Sequence, residues 1–357
     1  MKYHFSFNKI KKTDILLLDK NYSNLDSLNF NTSIFDYKKI YFFLFLYSLL
    51  EFLFNRKHLR LKDIYFKNYF RKVSPKIIIG HQAETLIFNV KKYSPFSKII
   101  LYLHCRLYKK QINDLKKVLS KADIDFFFVC DQLHENKFKK YTQAKFIING
   151  LCKNNSKILK KKKEQFDIAF VSEYRNTNYP NKTNHHKFIK FVAKTLNKFA
   201  SENKDKKIVI ALHSNRSDKQ ISKNEEINFY KRYCPNLKII NQNDSYEVCN
   251  SSKLLVLINS NLGCEFLSRG KKVLFLPYLN LLGSRYFNYY FKKDYLFSYK
   301  KFNTKTIYKK IKFILLMKKK NWDKIVNKSK INILFDKNNS ILQKEIKKIL
   351  NKKIKKT

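Results

Sequence analysis

The sequence is poor in the residues that mark several structural classes. Its 357 residues include only five glycines, five prolines and one tryptophan. Collagen-like and low-complexity chains need many more glycines and prolines, and 44% apolar residues argue against a disordered chain. The chain is therefore expected to be globular. Because single cores stop growing at about 250–300 residues, its length predicts two domains.

Sequence fingerprints of several enzyme classes are also absent. The chain contains no G-x-G-x-x-G, no G-x-x-x-x-G-K-[ST], no H-E-x-x-H and no G-x-S-x-G. This argues against dehydrogenases, P-loop ATPases, zincins and α/β-hydrolases. No D-x-D stands at the carboxyl end of a predicted strand, which disfavours a metal-dependent single-domain glycosyltransferase.

Metal binding and export are likewise not predicted. The six cysteines form no C-x-x-C pair and have no spacing with histidine that suits zinc, so buried reduced thiols are expected. The first residues lack the continuous apolar segment of a signal peptide. We therefore expect a cytoplasmic protein without a bound metal or other cofactor.

The chain has far more basic than acidic residues. It carries 76 Lys+Arg against 27 Asp+Glu, a formal net charge of +49, but only nine of the basic residues are arginines. A lysine excess alongside abundant Asn, Ile and Phe is typical of AT-rich coding, so it argues only weakly for nucleic acid, and we predict no specific nucleic-acid partner. Attraction to anionic surfaces, such as a membrane, does not depend on the origin of the lysines.

The most hydrophobic segment runs from Tyr41 to Phe54. It is shorter than the about 20 residues that span a bilayer, and it contains Glu51. Its apolar residues surround the whole helix, which favours a location in the core. Docking to a membrane surface, beside Arg56, Lys57 and Arg60, is the less favoured alternative.

Apolar runs alternate with amphipathic segments along most of the chain, and they form two series. The first contains the runs DILLLD, KIIIG, KIILYLH, DFFFVC and KFIING, with helices predicted at 84–92, 109–122 and 135–141. The second contains FDIAFVS, KIVIALH, LKIIN, KLLVLIN and KKVLFLP, with helices near 187–200, 225–233, 246–250 and 262–269. Continuous apolar strands alternating with helices predict parallel sheets covered on both faces.

The predicted fold class is therefore α/β, with two Rossmann-like domains, a linker and a C-terminal helical segment. We expect an N-terminal domain over 1–155 and a second domain over 166–300. The charged segment between them, CKNNSKILKKKKEQ, has no room for a core strand. Lys-rich helices over 301–357 follow, and they could cross back onto the first domain.

Ligands of open α/β sheets bind beyond the carboxyl ends of the strands, so polar residues that follow the apolar runs are candidates. Those in the first half are His81, Glu84, His104, Asp131 and the turn Gly150, Lys153, Asn154 and Asn155. Those in the second half are Ser172, Arg175, His213, Ser214, Arg216, Ser260, Asn261, Gly263 and Glu265. Gly and Arg are scarce in this composition, which adds weight to the positions where they occur.

The segment INSNLGCEFLSRGKKVLFL is the most specific of these. A strand ends, Ser260 and Asn261 form a polar turn, and a helix begins whose free N–H groups could face a phosphate. Glu265 could accept hydrogen bonds from a ribose. The alternative is a helix cap, with Ser260 or Asn261 capping and Glu265 reaching back.

These segments together resemble the bacterial surface carbohydrate biosynthesis proteins of lipopolysaccharide and capsule assembly, which are GT-B-like glycosyl or related transferases. The likeness covers about residues 70–280. It is carried best by G-x-x-K-N-N from Gly150 to Asn155 and by S-x-L-G-x-E-x-x-x-R-G-K-K from Ser260 to Lys272. The resemblance implies a transferase with a nucleotide-sugar co-substrate and a glycan or lipid-linked acceptor.

The resemblance also implies roles for individual residues. Its second block corresponds to the donor-nucleotide site, which carries over to Ser260, Asn261, Gly263 and Glu265, with Arg216 beside the phosphates. The turn at Gly150 marks the start of the hinge. A base on the first domain would activate the acceptor hydroxyl, and the candidates are His81, Glu84, His104 and Asp131. Of these His81 is preferred, because an imidazole titrates near neutral pH.

Two other functions stay open at the level of sequence. His81-Gln82 and Leu103-His104-Cys105 stand where such proteins usually have Asp-Asn and Gln-Asn-Gly, which is compatible with a non-catalytic subunit of a surface-polysaccharide assembly. A sugar-nucleotide epimerase or a polyol-phosphate transferase could use the same two-domain frame, because fold does not fix the reaction.

Overall fold

A computed structural model of the chain describes residues 3–18, 30–54, 60–107, 109–160, 163–174, 182–212, 223–240, 245–258, 260–276, 303–328 and 333–351. The chain divides into two compact units. Unit 1 comprises Met1–Arg106, Lys110–Lys157 and Leu334–Thr357, and unit 2 comprises Leu107–Lys109 and Ile158–Ile333.

The elements of each unit alternate as the apolar runs predict. Those of unit 1 are β1 (His4–Ser6), β2 (Ile15–Leu17), β3 (Thr32–Ile34), β4 (Lys39–Tyr41), α1 (Phe42–Phe54), α2 (Leu61–Val73), β5 (Ile77–His81), β6 (Lys98–Tyr102), α3 (Lys109–Leu119), β7 (Phe126–Val129), α4 (Gln132–Phe138), β8 (Lys145–Ile148) and α5 (Cys152–Ser156). Those of unit 2 are β9 (Phe166–Val171), α6 (Lys182–Glu202), β10 (Ile208–Ala211), α7 (Lys223–Tyr233), β11 (Lys238–Ile240), α8 (Ser245–Asn250), β12 (Ser252–Leu257), α9 (Asn261–Ser268), β13 (Lys272–Phe275), α10 (Thr304–Leu316) and α11 (Lys319–Lys328). The last helix, α12 (Ser340–Asn351), returns to unit 1.

Unit 1 is built on a six-stranded parallel sheet in the order β3-β2-β5-β6-β7-β8. Every residue of β2 and β5 is buried, as expected for strands covered on both faces. The strand order reverses between β2 and β5, and their carboxyl ends therefore form the switch point at which open α/β sheets bind ligands.

The C-terminal segment, expected as Lys-rich helices over 301–357 that could cross back onto the first domain, is divided between the two units, and its last helix lies in unit 1. In unit 1, Leu342 and Ile346 of α12 are fully buried in one core cluster with Ile15, Ile79 and Tyr102 of the sheet. Four residues separate the two α12 side chains, so both lie on one helix face. The C-terminal helix α12 thus packs on the sheet to which the N-terminal strand β2 belongs.

Unit 2 is built on a five-stranded parallel sheet in the order β11-β10-β9-β12-β13. This is the Rossmann order for five strands, with its switch point between β9 and β12. On the described residues, the predicted α/β class with two Rossmann-like domains is confirmed.

Two helices from the C-terminal segment complete unit 2. In α10, Ile307, Ile311 and Ile314 are buried at spacings of four and three, which gives the helix one apolar face. In α11, the buried Trp322 donates its indole N–H to the carbonyl of Lys271 at 3.1 Å, just before β13. A buried indole with its N–H satisfied fixes the position of α11.

Three details of unit 1 differ from the sequence prediction. The ribbon of β1 paired with β4 was not predicted, because strands of three residues give almost no periodic signal. The helix predicted over 84–92 is two 3₁₀ turns, Thr85–Phe88 and Val90–Lys92. The core location predicted for the aromatic helix is wrong, since α1 buries only Leu44 and Ser48.

No helix within the described residues is both long enough and apolar enough to cross a membrane.

Candidate functional site

One carboxylate, that of Glu173, bridges the two strand ends at the switch point of unit 2. Glu173, two residues beyond the end of β9, accepts the backbone N–H groups of Ile258 and Ser260 at 3.0 and 2.8 Å through the same Oε1. Its side chain therefore ties the end of β9 to the turn that follows β12. Two charge-assisted hydrogen bonds to a buried carboxylate thus hold the backbone N–H groups of Ile258 and Ser260.

The turn leads directly into α9. Ser260 is the N-cap, and its Oγ accepts the Leu262 N–H at 3.3 Å. Gly263 is closely packed, because a Cβ there would lie 2.6 Å from Leu257 and 2.7 Å from Phe275. The structure brings Ser260, Asn261, Gly263 and Glu265 together in the first turns of one helix at the carboxyl edge of the sheet.

Glu265 points to a partner that the sequence did not suggest. Its carboxylate accepts a hydrogen bond from the hydroxyl of Tyr246 in α8, and the backbone N–H of the N-cap, Ser260, is bonded to Glu173. Burial lowers the pKa of the nearby Arg269, and the charges of Tyr246 and Glu265 act in the opposite direction. Glu265 is 6% exposed, and Tyr246, Glu265 and Arg269 form one polar group.

Ser172, a predicted donor-site residue, is part of a buried network. Its hydroxyl donates to Glu226 and accepts from the Tyr230 hydroxyl at 2.8 Å and from the Tyr174 N–H at 3.2 Å. One donor and two acceptor positions are all that a serine hydroxyl offers. This favours a role in holding the segment after β9 over direct contact with a ligand.

An aromatic group lies next to that network. The rings of Tyr174 and His186 stack with centroids 5.0 Å apart, and Phe229 of α7 lies 5.2 Å from Tyr174. Burial and the neighbouring Glu225 raise the pKa of Tyr174 to about 12. Sequence analysis missed Tyr174, Glu226 and Tyr246, because each is hydrogen-bonded to a side chain 19 to 54 residues away.

The carboxyl edge of the unit 1 sheet holds two of the predicted catalytic residues side by side. The rings of His81 and His104 lie 4.9 Å apart in an edge-to-face arrangement at the ends of β5 and β6. Gln82 accepts the His104 backbone N–H through Oε1 at 3.0 Å, and its Nε2 lies 2.6 Å from His104 Nδ1. Gln82 therefore donates to this ring nitrogen.

The contacts of Nδ1 define the tautomer that each ring has when it is neutral. Nδ1 of His81 accepts the Ala83 N–H at 3.0 Å, and Nδ1 of His104 accepts from Gln82. A neutral imidazole whose Nδ1 is an acceptor carries its hydrogen on Nε2. In that tautomer neither nitrogen of His81 is available as a base, which argues against the role predicted for it.

The other two predicted catalytic residues are held by hydrogen bonds in unit 1. Glu84 caps the first 3₁₀ turn and accepts from the Tyr37 hydroxyl. Asp131 accepts from Arg106 Nη2 at 2.7 Å and from His134 Nδ1 at 2.7 Å. Burial alone would raise the pKa of Asp131, but Arg106 and His134 hold it well below its ordinary range. So weak a base is poorly suited to proton removal.

Asp131 also belongs to the group of potential metal ligands among the described residues. Atoms of Cys130, Asp131 and His134 lie within 4.8 Å of one another, and all three residues are buried. The guanidinium of Arg106, itself buried, already bonds the Asp131 carboxylate through both Nε and Nη2. A fixed positive charge at that distance opposes a dication, so the group suits an internal ion pair better than a metal.

The turn predicted as a hinge is fixed to the C-terminal segment within unit 1. Gly150 has φ +76° and forms an isolated antiparallel bridge with Phe335. Asn155 donates to the Asn339 side chain at 3.0 Å and accepts the Asp336 N–H at 3.0 Å. Asn154 is fully buried and Lys153 is exposed. These contacts anchor the returning chain.

Four predicted donor-site residues lie outside the described residues. They are Arg175, His213, Ser214 and Arg216. Of the six cysteines, Cys105 is partly exposed, and Cys130, Cys152, Cys234, Cys249 and Cys264 are buried.

Comparison of the sequence with protein-family models gives one match, to a family described as O-antigen biosynthesis proteins, over residues 108–350. This match covers more than half of the chain, and the chain belongs to that family. A search of curated protein sequences found no match.

Solved structures share the fold at low sequence identity. Staphylococcus aureus MnaA, in a co-structure with UDP, is 11% identical with a TM-score of 0.57, over 96% of this chain and 97% of that one. UDP-GlcNAc 2-epimerase of Neisseria meningitidis, bound to UDP-GlcNAc, is 11% identical with a TM-score of 0.55, over 94% and 99% of the chains. CalG4, the calicheamicin glycosyltransferase, is 8% identical with a TM-score of 0.51, over 95% and 91%. The fold is therefore GT-B.

Proposed function

We propose that this member of the O-antigen biosynthesis family is an enzyme that binds a nucleotide-activated sugar on unit 2 and transfers the sugar to a growing surface glycan. The observation that carries the proposal is the pair of hydrogen bonds from the Ile258 and Ser260 N–H groups to Glu173, at the switch point between β9 and β12. Ligands of Rossmann sheets bind at this point. Backbone groups that are held before a ligand arrives lose little conformational entropy when it binds.

We place the phosphates of the donor at the amino-terminal end of α9. The first N–H groups of a helix and its dipole attract anions. Arg216 is our candidate for a guanidinium beside the phosphates. Together these groups would stabilise the charge that develops on the leaving nucleoside diphosphate.

We place the ribose against Glu265. A carboxylate accepts hydrogen bonds from vicinal hydroxyls, and the Tyr246 hydroxyl orients it from below. The solved structures of the same fold include one with UDP and one with UDP-GlcNAc. We therefore propose a uridine diphosphate sugar as the donor.

We place the acceptor at the carboxyl edge of unit 1. His81 and His104, whose rings lie together at the ends of β5 and β6, would line the acceptor site. Lipid-linked glycans are acceptors at the inner face of the cytoplasmic membrane, and we place the protein in the cytoplasm at that surface.

A second candidate function follows from the same histidines. All four predicted catalytic side chains of unit 1 are engaged in hydrogen bonds within that unit. This supports a subunit that binds the nucleotide sugar without transferring it. Release of UDP from the donor in the presence of acceptor would separate the two functions.

The experiment is a thermal-shift titration with UDP and UDP-GlcNAc, compared with GDP, CDP and ADP at fixed salt, and with RNA as the charge control. A ligand at 100 times its Kd stabilises the folded state by about 2.7 kcal/mol, which raises the melting temperature. We expect the uridine nucleotides to do so selectively. Glu265→Gln, which keeps a partner for Tyr246, should lose most of the shift.

The matched control is Glu202→Gln, which removes the same charge from an exposed position of α6 in the same unit. It should respond to UDP as the wild type does. Equal stabilisation by every polyanion, abolished by salt, would refute a nucleotide site and leave charge as the only source of binding.

A further inference from the structure

The apolar residues of α1 lie on the wrong side of the helix for a core element. The outward side chains recur at spacings of three and four, which places them on one face. Phe43, Leu50, Leu53 and Phe54 are 66%, 53%, 62% and 82% exposed. We call this set the outer face of α1, and it consists of Phe43, Leu46, Tyr47, Leu50, Leu53 and Phe54.

The polar residues of α1 point the other way, into the protein. Asn68 of α2 donates to Ser48 at 3.2 Å and to Glu51 at 2.8 Å. Ser48 is fully buried and in turn donates to the Leu44 carbonyl at 2.8 Å. The helix is thus amphipathic, but its orientation is opposite to that of a core helix: its polar side chains contact the protein and its apolar side chains face outward.

The N-terminal ribbon enlarges the apolar surface. Phe5 packs edge-to-face against Phe42 and Phe45, with centroids 5.8 and 6.0 Å apart. Phe7 lies 5.0 Å from Phe42 and 6.3 Å from Phe43. Phe5 and Phe7 are themselves 53% and 65% exposed. An apolar patch of this kind on a soluble domain marks an interaction site.

The surroundings of the patch are strongly basic. The described residues between 38 and 72 include seven Lys and Arg against two Asp and Glu. Both acids are engaged, Glu51 with Asn68 and Asp63 with Tyr93 and Lys92. Arg71 of α2 lies with its guanidinium 6.0 Å from the Tyr47 ring, at the border of the outer face. Apolar and cationic side chains therefore lie next to one another.

We infer that the outer face of α1, with Phe5 and Phe7, docks on the surface of an anionic lipid bilayer. Apolar side chains flanked by cations are the pattern of helices that lie in the membrane interface. With 13 residues, α1 is about 20 Å long and cannot span the about 30 Å hydrocarbon core. The docking is therefore peripheral.

Charge decides between a bilayer and a second copy of the chain. Two copies joined through this face would bring their basic borders together, and like charges repel. An anionic leaflet instead attracts each lysine and arginine near its surface. The inference extends the proposed function by naming the surface that meets the membrane. It rests on the proposed function only for its purpose, which is to bring the enzyme to a lipid-linked acceptor.

The test is co-sedimentation with phosphatidylcholine vesicles, with and without phosphatidylglycerol, in the absence of nucleotide. The variant is Phe43→Ser/Leu50→Ser/Leu53→Ser. The control is Phe96→Ser/Ile158→Ser/Leu316→Ser, which makes the same kind of change at residues 91%, 74% and 84% exposed elsewhere. Both variants keep the net charge of the wild type, so electrostatic attraction is the same in all three proteins.

We expect the wild type and the control to bind the phosphatidylglycerol vesicles. The α1 variant should bind at least roughly 30-fold more weakly, because three apolar side chains are lost from the interface. Equal binding by the α1 variant would overturn the inference. A second result would also overturn it: the wild type binds no vesicles and is dimeric by sedimentation velocity, whereas the α1 variant is monomeric. The UDP-induced thermal shift of the α1 variant, measured without vesicles, reports the proposed function separately.

Discussion

Replacing Gly150 by alanine tests whether the turn after β8 anchors the C-terminal segment. Gly150 has φ +76°, and a Cβ there would lie 2.0 Å from the carbonyl oxygen of Leu334. That oxygen belongs to the backbone, so it cannot rotate away as a side chain could. The segment must move instead, which breaks the Gly150–Phe335 bridge and strains the Asn155–Asp336 hydrogen bond.

Gly270 supplies a matched control in unit 2. It has φ +79°, but the nearest atom to an added Cβ is Nζ of Lys319 at 3.0 Å, the mobile tip of a long side chain. Gly270→Ala should therefore cost only the left-handed conformation, about 1–2 kcal/mol. Gly150→Ala adds two disturbed hydrogen bonds of about 1 kcal/mol each, so its total cost is about 3–4 kcal/mol.

The assay is urea unfolding followed by circular dichroism, with fluorescence of Trp322 as the signal from unit 2. At a slope of about 2 kcal/mol per molar urea, Gly150→Ala should lower the midpoint of its transition by about 1.5–2 M. Gly270→Ala should lower its midpoint by about 0.5–1 M. Equal shifts for the two variants would refute the reasoning, because they would mean that the Leu334 carbonyl does not constrain the turn.

Two further predictions concern unit 1. Asp131→Asn should destabilise the protein by about 3–5 kcal/mol, because the buried Arg106 loses its partner. The pKa of Asp131 is lowered on folding, so its contribution to the free energy of unfolding is complete above about pH 4 and is lost as the pH falls below that value. Urea midpoints measured from pH 7 to pH 3 should therefore fall less steeply in the variant than in the wild type. Ile346→Ala on α12 should lower the free energy of unfolding by about 2–5 kcal/mol, whereas Lys347→Ala, at an exposed position, should change it by less than about 0.5 kcal/mol in the same assay.

The sequence predicted most of the sheet architecture. Runs such as KIIIG and KLLVLIN are apolar between their end residues, and β5 and the body of β12 are buried as such runs require. It also placed Ser260 at the start of a helix. It failed at 84–92, where a short apolar segment is compatible with either an α-helix or 3₁₀ turns.

The sequence indicated where the polar residues of the candidate site lie, but not what each of them does. Strand ends are visible in the sequence, so Ser172, His81 and Ser260 could be named. Whether Ser172 is available to a ligand depends on Glu226 and Tyr230, which are 54 and 58 residues away. The tautomer of His81 depends on the backbone of a turn, which side-chain identity does not specify.

What the sequence by itself determined is the alternation of strands and helices and their division into two series. These follow from local periodicity, which reports how many faces of an element are buried. Only the tertiary structure decided which way α1 faces, because Tyr41 to Phe54 has the same letters whether it lies in a core or on a surface. It also decided the return of α12 to unit 1 and the bond from Glu173 to Ser260. Contacts between residues far apart in the chain leave no trace in a local pattern, and they arise only when the elements pack.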